Sequence, residues 1–224
     1  MYLRLASLIS RAGIYVIDAL VSYLARPVRD ARQARSVDSL SLSGVLREGD
    51  VLLTSGNTRA ARLVRLITRS PWAHVCVYVG PLSDEADPPC IVEADLAAGV
   101  RAIRLSELVG QQVQVLRATQ LAEPDRLRLV AWVTSHIGDR YDIASACALA
   151  ARLLKFPRMA RRNPADAAAE ANKRFFCSSL VAQAFLLVGL HVLPAHVQAR
   201  AVAPDHRFVT PRDFAKASGF EVIG

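Results

Sequence analysis

The sequence predicts an α+β fold, with a small antiparallel sheet in the middle of the chain and helices on both sides of it. Three observations carry this. Short apolar runs with period-two alternation cluster between Val51 and Ala118, apolar runs at helical spacing flank them, and turn signals such as "GPLSDEADPP" and "LAAG" separate the strands. Strands gathered in one stretch, rather than alternating with helices, point away from a parallel βαβ sheet.

The first element is a helix within "MYLRLASLISRAGIYVIDALVSYLARP". Its polar residues Arg4, Ser7, Arg11, Asp18, Ser22 and Arg26 form one narrow stripe at about 100° per residue and leave a wide apolar face. The uncharged run from Ala12 to Ile17 is too short to span a bilayer, and Asp18 separates it from the next apolar residues. Arg11 and the lack of a small-residue cleavage site argue against a secretory signal. Two readings stay open for this helix: packing on its own domain or a second subunit, or lying in the lipid headgroup region. An Arg-rich connector, Val28 to Ser43, leads into the main domain. The expected organisation is therefore an appendage over residues 1–43 and one domain over residues 44–224.

Within that domain Val51 to Thr54 is a short strand and "TRAARLVRLITRS" a basic amphipathic helix ending before Pro71. Strands come next at "AHVCVYVG", "CIVEAD", "VRAIRL" and "VQVLRA", and helices at "DRLRLVAWVTSHIG" and "YDIASACALAARLLKF". A basic, proline-marked insertion over 155–174 precedes the helix in "KRFFCSSLVAQAFLLVGL", which Gly189 ends. The tail containing "VTPRDFAKA" reads as irregular.

Composition narrows the function. The chain of 224 residues is 52% hydrophobic with a mean hydropathy of +0.24, too charged for a polytopic membrane protein. A net charge of +8 favours an anionic partner, although the richness in Arg and Ala reads as a bias of the source genome. None of the four cysteines forms a C-x-x-C pair, so reduced thiols in a cytosolic setting are expected. The five histidines lack H-x-x-x-H or H-E-x-x-H spacing, and neither a metal nor another cofactor is expected. No helix-turn-helix, zinc finger or aromatic-plus-basic strand supports specific nucleic-acid binding.

The chemistry gathers at three residues. Helical periodicity begins at Ser178, which puts Cys177 in the first turn or at the cap. There the unpaired amides and the positive end of the dipole stabilise a thiolate, and the amides around Ser178 can hold an oxyanion. A cysteine in this position also reads as a small buried hydrophobe. In "SPWAHVCVYVG" alternation puts Val75, Val77 and Val79 on one face and His74, Cys76 and Tyr78 on the other, so His74 opens a strand at the mouth of a cleft. Glu93 falls where an adjacent strand runs and can orient the imidazole, with Asp95 a competitor for that role.

The ordered series "GDVLLT", "WAHVCVYVG", "IVEA…GV", "IGDRYD", "FFCSSLVAQAF" and "VTPRDF", covering about Gly49 to Phe214, resembles the circularly permuted NlpC-type papain-like superfamily, in its YiiX/YebB-like branch. The resemblance implies a permuted papain-like fold, with the histidine strand before the cysteine helix. It implies Cys177 as nucleophile, His74 as its base and Glu93 as the third polar residue. Gly138-x-x-Tyr141 resembles the segment whose tyrosine borders the active site, which makes Tyr141, with Ser178, a candidate to hold the oxyanion or substrate carbonyl. The basic insertion between Tyr141 and Cys177 and the apolar N-terminal helix depart from the plain pattern.

The expected activity is a cysteine hydrolase or acyltransferase acting on an amide, ester or thioester. The superfamily contains both cell-wall peptidases and lipid-acting members. Without an export signal, and with "RLVRLITRS" and "KFPRMARR" basic, the expectation is a lipid or acylated substrate at an anionic membrane surface, in the cytoplasm or on the inner face of the membrane. A homo-oligomer is compatible with the N-terminal helix. The alternative is a catalytically idle member of the same fold that binds lipid or a protein partner.

Overall fold

β1 (Val51–Thr54) is buried at every position, which is why its sequence VLLT shows no alternation. Val51 and Leu53 face one core cluster and Leu52 the other. The computed structural model describes residues 19–28, 44–154, 174–193 and 209–223. In chain order the other elements are α1 (Arg59–Thr68), β2 (His74–Tyr78), β3 (Pro89–Asp95), β4 (Gly99–Arg104), a 3-10 turn (Leu105–Leu108), β5 (Val113–Ala118) and α2 (Glu123–Ser135). They are followed by β6 (Arg140–Tyr141), α3 (Ile143–Leu153), β7 (Arg174–Phe175), α4 (Cys177–Leu187), α5 (Pro211–Phe214) and β8 (Phe220–Ile223).

Six strands form one sheet in the order β4-β3-β2-β1-β5-β8, and each neighbouring pair is antiparallel. β2, β3 and β4 are consecutive in both chain and sheet, which keeps the contacts of that half local. Asp50, 1% exposed at the head of β1, takes a forked pair of hydrogen bonds from Arg117 on β5 at 2.7 and 2.8 Å, tying the two strands together. This is the α+β architecture the strand clustering predicts.

The alternation in β2 does what the sequence implies. Val75, Val77 and Val79 join the larger cluster, where α4 and α2 cover the sheet, while Cys76 enters the smaller cluster beneath the 3-10 turn. α4 is apolar nearly all round because it lies across β2 and β3 with α2 on its flank. Leu180, Val181 and Phe185 are fully buried, each contributing roughly 1.5–3 kcal/mol by removal from water. The helix ends as expected, with Gly189 at φ +76° just beyond it.

The structure corrects the reading of the tail. Over residues 209–223 it is regular: α5 is capped by Thr210 and Asp213, whose side chain accepts the Thr210 backbone N–H at 2.8 Å, and β8 pairs with β5 as the sixth strand. Strands as short as FEVI carry too few residues to show a period. Two further strands, β6 and β7, are two residues each and pair in parallel. Tyr141 therefore lies on a strand, and the helix after it begins at Ile143 behind an Asp142 cap that accepts from Ser145 N–H at 2.9 Å.

Of the expected N-terminal helix only its end is described. Residues 19–25 are helical, Pro27 bridges to Thr58, and Val28 N–H donates to Asn57 O at 2.6 Å. The Arg59 guanidinium lies 4.0 Å from the Tyr23 ring centre. The rest of that helix, and the 155–174 insertion apart from Arg174, fall outside the described residues.

Candidate active site

β2, β3, β4, β6, α1 and α4 meet at one cleft of about 290 Å³. β2 supplies His74 at its first residue, opposite Thr54 of β1. β3 supplies Glu93 and β4 supplies Arg101, directly opposite it in the register. α4 begins at Cys177 with extended Phe176 as its N-cap, and β6 brings Tyr141 to the same wall. The inner side of α1 closes the cleft with Ala60, Ala61 and Val64.

Local sequence holds Cys177 at the helix start. The Phe176 N–H donates to Ser179 Oγ at 3.0 Å, and that hydroxyl donates back to the Phe176 carbonyl at 2.9 Å. Asp142 N–H donates to Phe175 O at 2.9 Å, which fixes the residue two before the cysteine against the tyrosine segment. The "CSS" run is therefore one position that lines the cleft followed by two structural hydroxyls. Ser178 Oγ donates to Val209 O at 2.6 Å and is buried, so only the backbone amide of Ser178 reaches the Cys177 sulfur.

His74 Nε2 and Glu93 Oε2 are 2.7 Å apart. His74 also hydrogen-bonds the Cys177 side chain; with Nε2 occupied, Nδ1 is the nitrogen left for the sulfur. Glu93 is 6% exposed, and its other oxygen, Oε1, accepts from Arg101 Nε at 3.0 Å and Nη2 at 2.7 Å. Asp95, the competitor for the orienting role, is used elsewhere. Its Oδ1 accepts the Ala97 and Ala98 amides at 2.9 and 2.8 Å and shapes the β3–β4 turn.

The electrostatics arise from this chain of contacts. Burial pushes the Cys177 thiol up, but the His74 charge and hydrogen bond, with the Val75 and Ser178 amides, bring it below its ordinary value. Burial alone lowers the His74 imidazole, and the negative Cys177 and Glu93 outweigh it, holding the ring well above its usual value. Burial raises the Glu93 carboxyl, yet His74 first and then Arg101 draw it down to about 2. A thiolate beside an imidazolium is the charge state these shifts favour.

Other groups near the cleft stay neutral. Burial, and then the Cys177 charge, push Tyr141 well above its ordinary value, so its phenol keeps a proton to donate. Cys76 is fully buried, donates to Leu52 O at 3.5 Å, and is held well above the ordinary thiol value by burial and by Glu93. Among the described residues no cluster of three or more His, Cys, Asp or Glu is arranged to hold a metal ion.

The structure thus brings Cys177, His74, Glu93 and Tyr141 together, and Ser178 through its amide alone. Sequence reasoning missed Arg101. Its signal was present: Glu93 and Arg101 sit symmetrically about the turn in "EADLAAGVR", where opposite charges face each other across a hairpin.

Residues 45–147 match the protein family described as permuted papain-like amidase enzyme, YaeF/YiiX, C92 family. A solved structure titled metalloprotein yiiX, from Escherichia coli O157:H7, shares the fold with a TM-score of 0.54, over 80% of this chain and 96% of that one, at 15% identity. No curated protein matches the chain. Over residues 45–147, which carry His74 and Glu93, the chain is therefore similar to the permuted papain-like amidases of the YaeF/YiiX type, and it shares the fold of yiiX.

Proposed function

We propose that Cys177 is the nucleophile of a hydrolase that cleaves an amide, ester or thioester, with His74 as acid and base and Glu93 as the residue that orients it. The observation that carries this reading is the unbroken hydrogen-bonded series from the Cys177 sulfur through His74 to Glu93 at the mouth of a cleft. Sγ attacks the carbonyl carbon, and the electron pair moves onto oxygen. That oxyanion meets the amides of the α4 N-terminus and the Tyr141 hydroxyl. The His74 imidazolium gives its Nδ1 proton to the leaving nitrogen, oxygen or sulfur, and an acyl thioester remains on Cys177. His74, now neutral, takes a proton from water as it attacks the thioester. Collapse returns the Cys177 thiolate and a carboxylic acid. Transfer of the acyl group to an amine or alcohol instead of water makes the same intermediate a transferase's, and product analysis separates the two.

The substrate we infer is a lipid or acylated molecule taken from an anionic membrane surface. α1 supports this through its two sides. Ala60, Ala61 and Val64 line the cleft, while Arg62, Leu63, Leu66 and Arg69 are exposed on the outer side. No acidic residue occurs between Asp50 and Asp84, so nothing in this stretch offsets the arginines.

The test is thiol alkylation followed by mass-spectrometric site assignment across the acid-to-neutral range, on the native chain and His74→Ala. We expect Cys177 to react selectively well below about pH 8.5, the ordinary thiol value, and His74→Ala to remove that advantage by at least about tenfold, the worth of one pKa unit. Equal reactivity of Cys177 and exposed Cys147 would leave a binding protein built on an enzyme's fold.

A further inference from the structure

Arg101 lines the cleft, and the acyl chemistry gives it no task. It stands in β4 directly opposite Glu93 of β3. Two of its nitrogens, Nε and Nη2, both fall on Oε1 of that carboxylate, at 3.0 and 2.7 Å. The other oxygen, Oε2, is then left for His74 Nε2 at 2.7 Å. The Glu93 side chain is 8% exposed and the Arg101 side chain 42% exposed, so the fork reaches inward from the cleft wall.

We propose that Arg101 is a positioning residue, which locks Glu93 by Oε1 so that Oε2 holds the His74 ring with its other nitrogen on Cys177. The proposal rests on the reading that Cys177 and His74 form the reactive pair.

The physical argument has two parts. A carboxylate on a glutamate side chain has three torsions to fix, and a single contact to an imidazole leaves the plane of the group free to turn. A planar guanidinium with two donors on one oxygen removes that freedom and adds charge-assisted bonds. A buried carboxylate that loses its cation also loses much of what offsets its desolvation. Lysine keeps the charge but supplies no fork. The same arginine could instead serve as the anchor for an anionic group of the substrate, since its Nη1 lies 3.9 Å from Glu107, beyond hydrogen-bond distance. That alternative gives a different experimental result.

Among the described residues, the charged and titratable groups that bear on the pair come from five strands and turns and from α4. They are Cys76 beside His74 on β2, Glu93 and Asp95 on β3, Arg101 on β4, Glu107 on the 3-10 turn, Tyr141 on β6 and Cys177 on α4. Removal of Arg101 frees the Glu93 carboxylate to turn and so loosens the imidazolium it holds, which moves thiolate formation to higher pH.

The experiment measures the pH profile of Cys177 alkylation by neutral iodoacetamide in the full chain, for the native protein, Arg101→Gln, Arg101→Lys, Glu93→Gln and the double variant Arg101→Gln/Glu93→Gln. We expect Arg101→Gln to move the acid limb up by about one pH unit, about tenfold in rate on that limb, with Arg101→Lys recovering part of it. We expect the double variant to behave as Glu93→Gln alone, because a residue acting through Glu93 has nothing left to act on. An unmoved limb in Arg101→Gln overturns the proposal, and it does so even where the melting temperature falls, since a purely structural role lowers stability without moving the limb. Losses that multiply in the double variant overturn it as well. So does a loss confined to negatively charged iodoacetate, which identifies Arg101 as a substrate anchor. A native Cys177 no more reactive than Cys147 fails the pair itself, a result distinct from all of these.

Discussion

Four cysteines share one side chain and differ in what faces the sulfur. Cys76 is two residues from His74 yet turns to the opposite face from Val75, against the Leu52 carbonyl, where burial and the Glu93 charge keep it a thiol. Cys177 is also buried, at 9% exposed, but two amides and an imidazole converge on it. Glu93 shows how much such convergence is worth. Its carboxyl sits at about 2 in the fold against 4.5 as a free group. A group with a depressed pKa stabilises the fold above the unfolded value, and that contribution is lost as pH falls through the folded value. The window is therefore about 4.5 down to about 2, and the shift corresponds to roughly 3 kcal/mol. His74 has the opposite sign: its raised pKa contributes fully below the unfolded value and is lost as pH rises through the folded one. Urea unfolding of the native chain and Glu93→Gln at successive pH values should show a stability gap at neutral pH that narrows through the acid window. A gap that is constant with pH would mean the carboxylate's charge does not hold the fold together.

At the scale of elements, the turn between β3 and β4 and the segment after α2 depend on a glycine. Gly99 has φ +77°, and a Cβ there would lie 2.3 Å from the Asp139 carbonyl oxygen. That carbonyl accepts the Val100 amide at 2.8 Å, and Gly138 N–H returns a bond to Val100 O at 2.8 Å. The close approach carries the chain straight into β6 and Tyr141, and through β7 to Phe175 and the start of α4. Gly99→Ala is expected to cost more than about 1 kcal/mol, from the positive φ alone, and to slow Cys177 alkylation because the clash displaces Tyr141 and the α4 N-terminus together. Thermal melting and site-resolved alkylation check both halves. A lower melting point with native Cys177 reactivity would uncouple the turn from the site.

The same elements explain what the sequence made readable. α4, α1, α2 and β1 to β5 declare themselves because each has enough residues to show a period or an apolar run. β6, β7 and β8 do not, because two to four residues carry no period. Ser178 was legible as a helix-start residue, but the direction of its hydroxyl depends on Val209, far along the chain. Spacing alone could not tell that His74 and Cys177 meet; only the ordered series of motifs suggested it. Arg101 was legible in principle, since a hairpin's register pairs it with Glu93.

For the whole molecule, the question is how the cleft meets its substrate. α1 has the cleft on one side and an outward surface on the other, and the described end of the N-terminal region meets its first turn. Arg59 N–H donates to Arg26 O at 3.2 Å, its guanidinium lies over Tyr23, and Tyr23 and Leu20 are exposed. Arg65 turns inward to the Ser55 and Gly56 carbonyls, which leaves Arg62 and Arg69 as the outward charges of α1 around Leu63 and Leu66. Leu66 is 74% exposed, the highest value of any large hydrophobic among the described residues. A surface of this kind gains about 1 kcal/mol per arginine near anionic lipid, plus whatever part of roughly 1.5–3 kcal/mol each leucine recovers by inserting. Cosedimentation of the full chain with phosphatidylglycerol vesicles should therefore exceed that with phosphatidylcholine. Arg62→Gln/Arg69→Gln should weaken it by about thirtyfold, the equivalent of two such arginines, and Leu63→Gln/Leu66→Gln should weaken it at constant charge. If neither pair of substitutions changes vesicle binding, the membrane reading of this surface fails. If Leu63→Gln/Leu66→Gln instead abolishes a concentration-dependent dimer, the leucines cover a second copy of the chain, and the cleft opens toward a partner subunit rather than a bilayer.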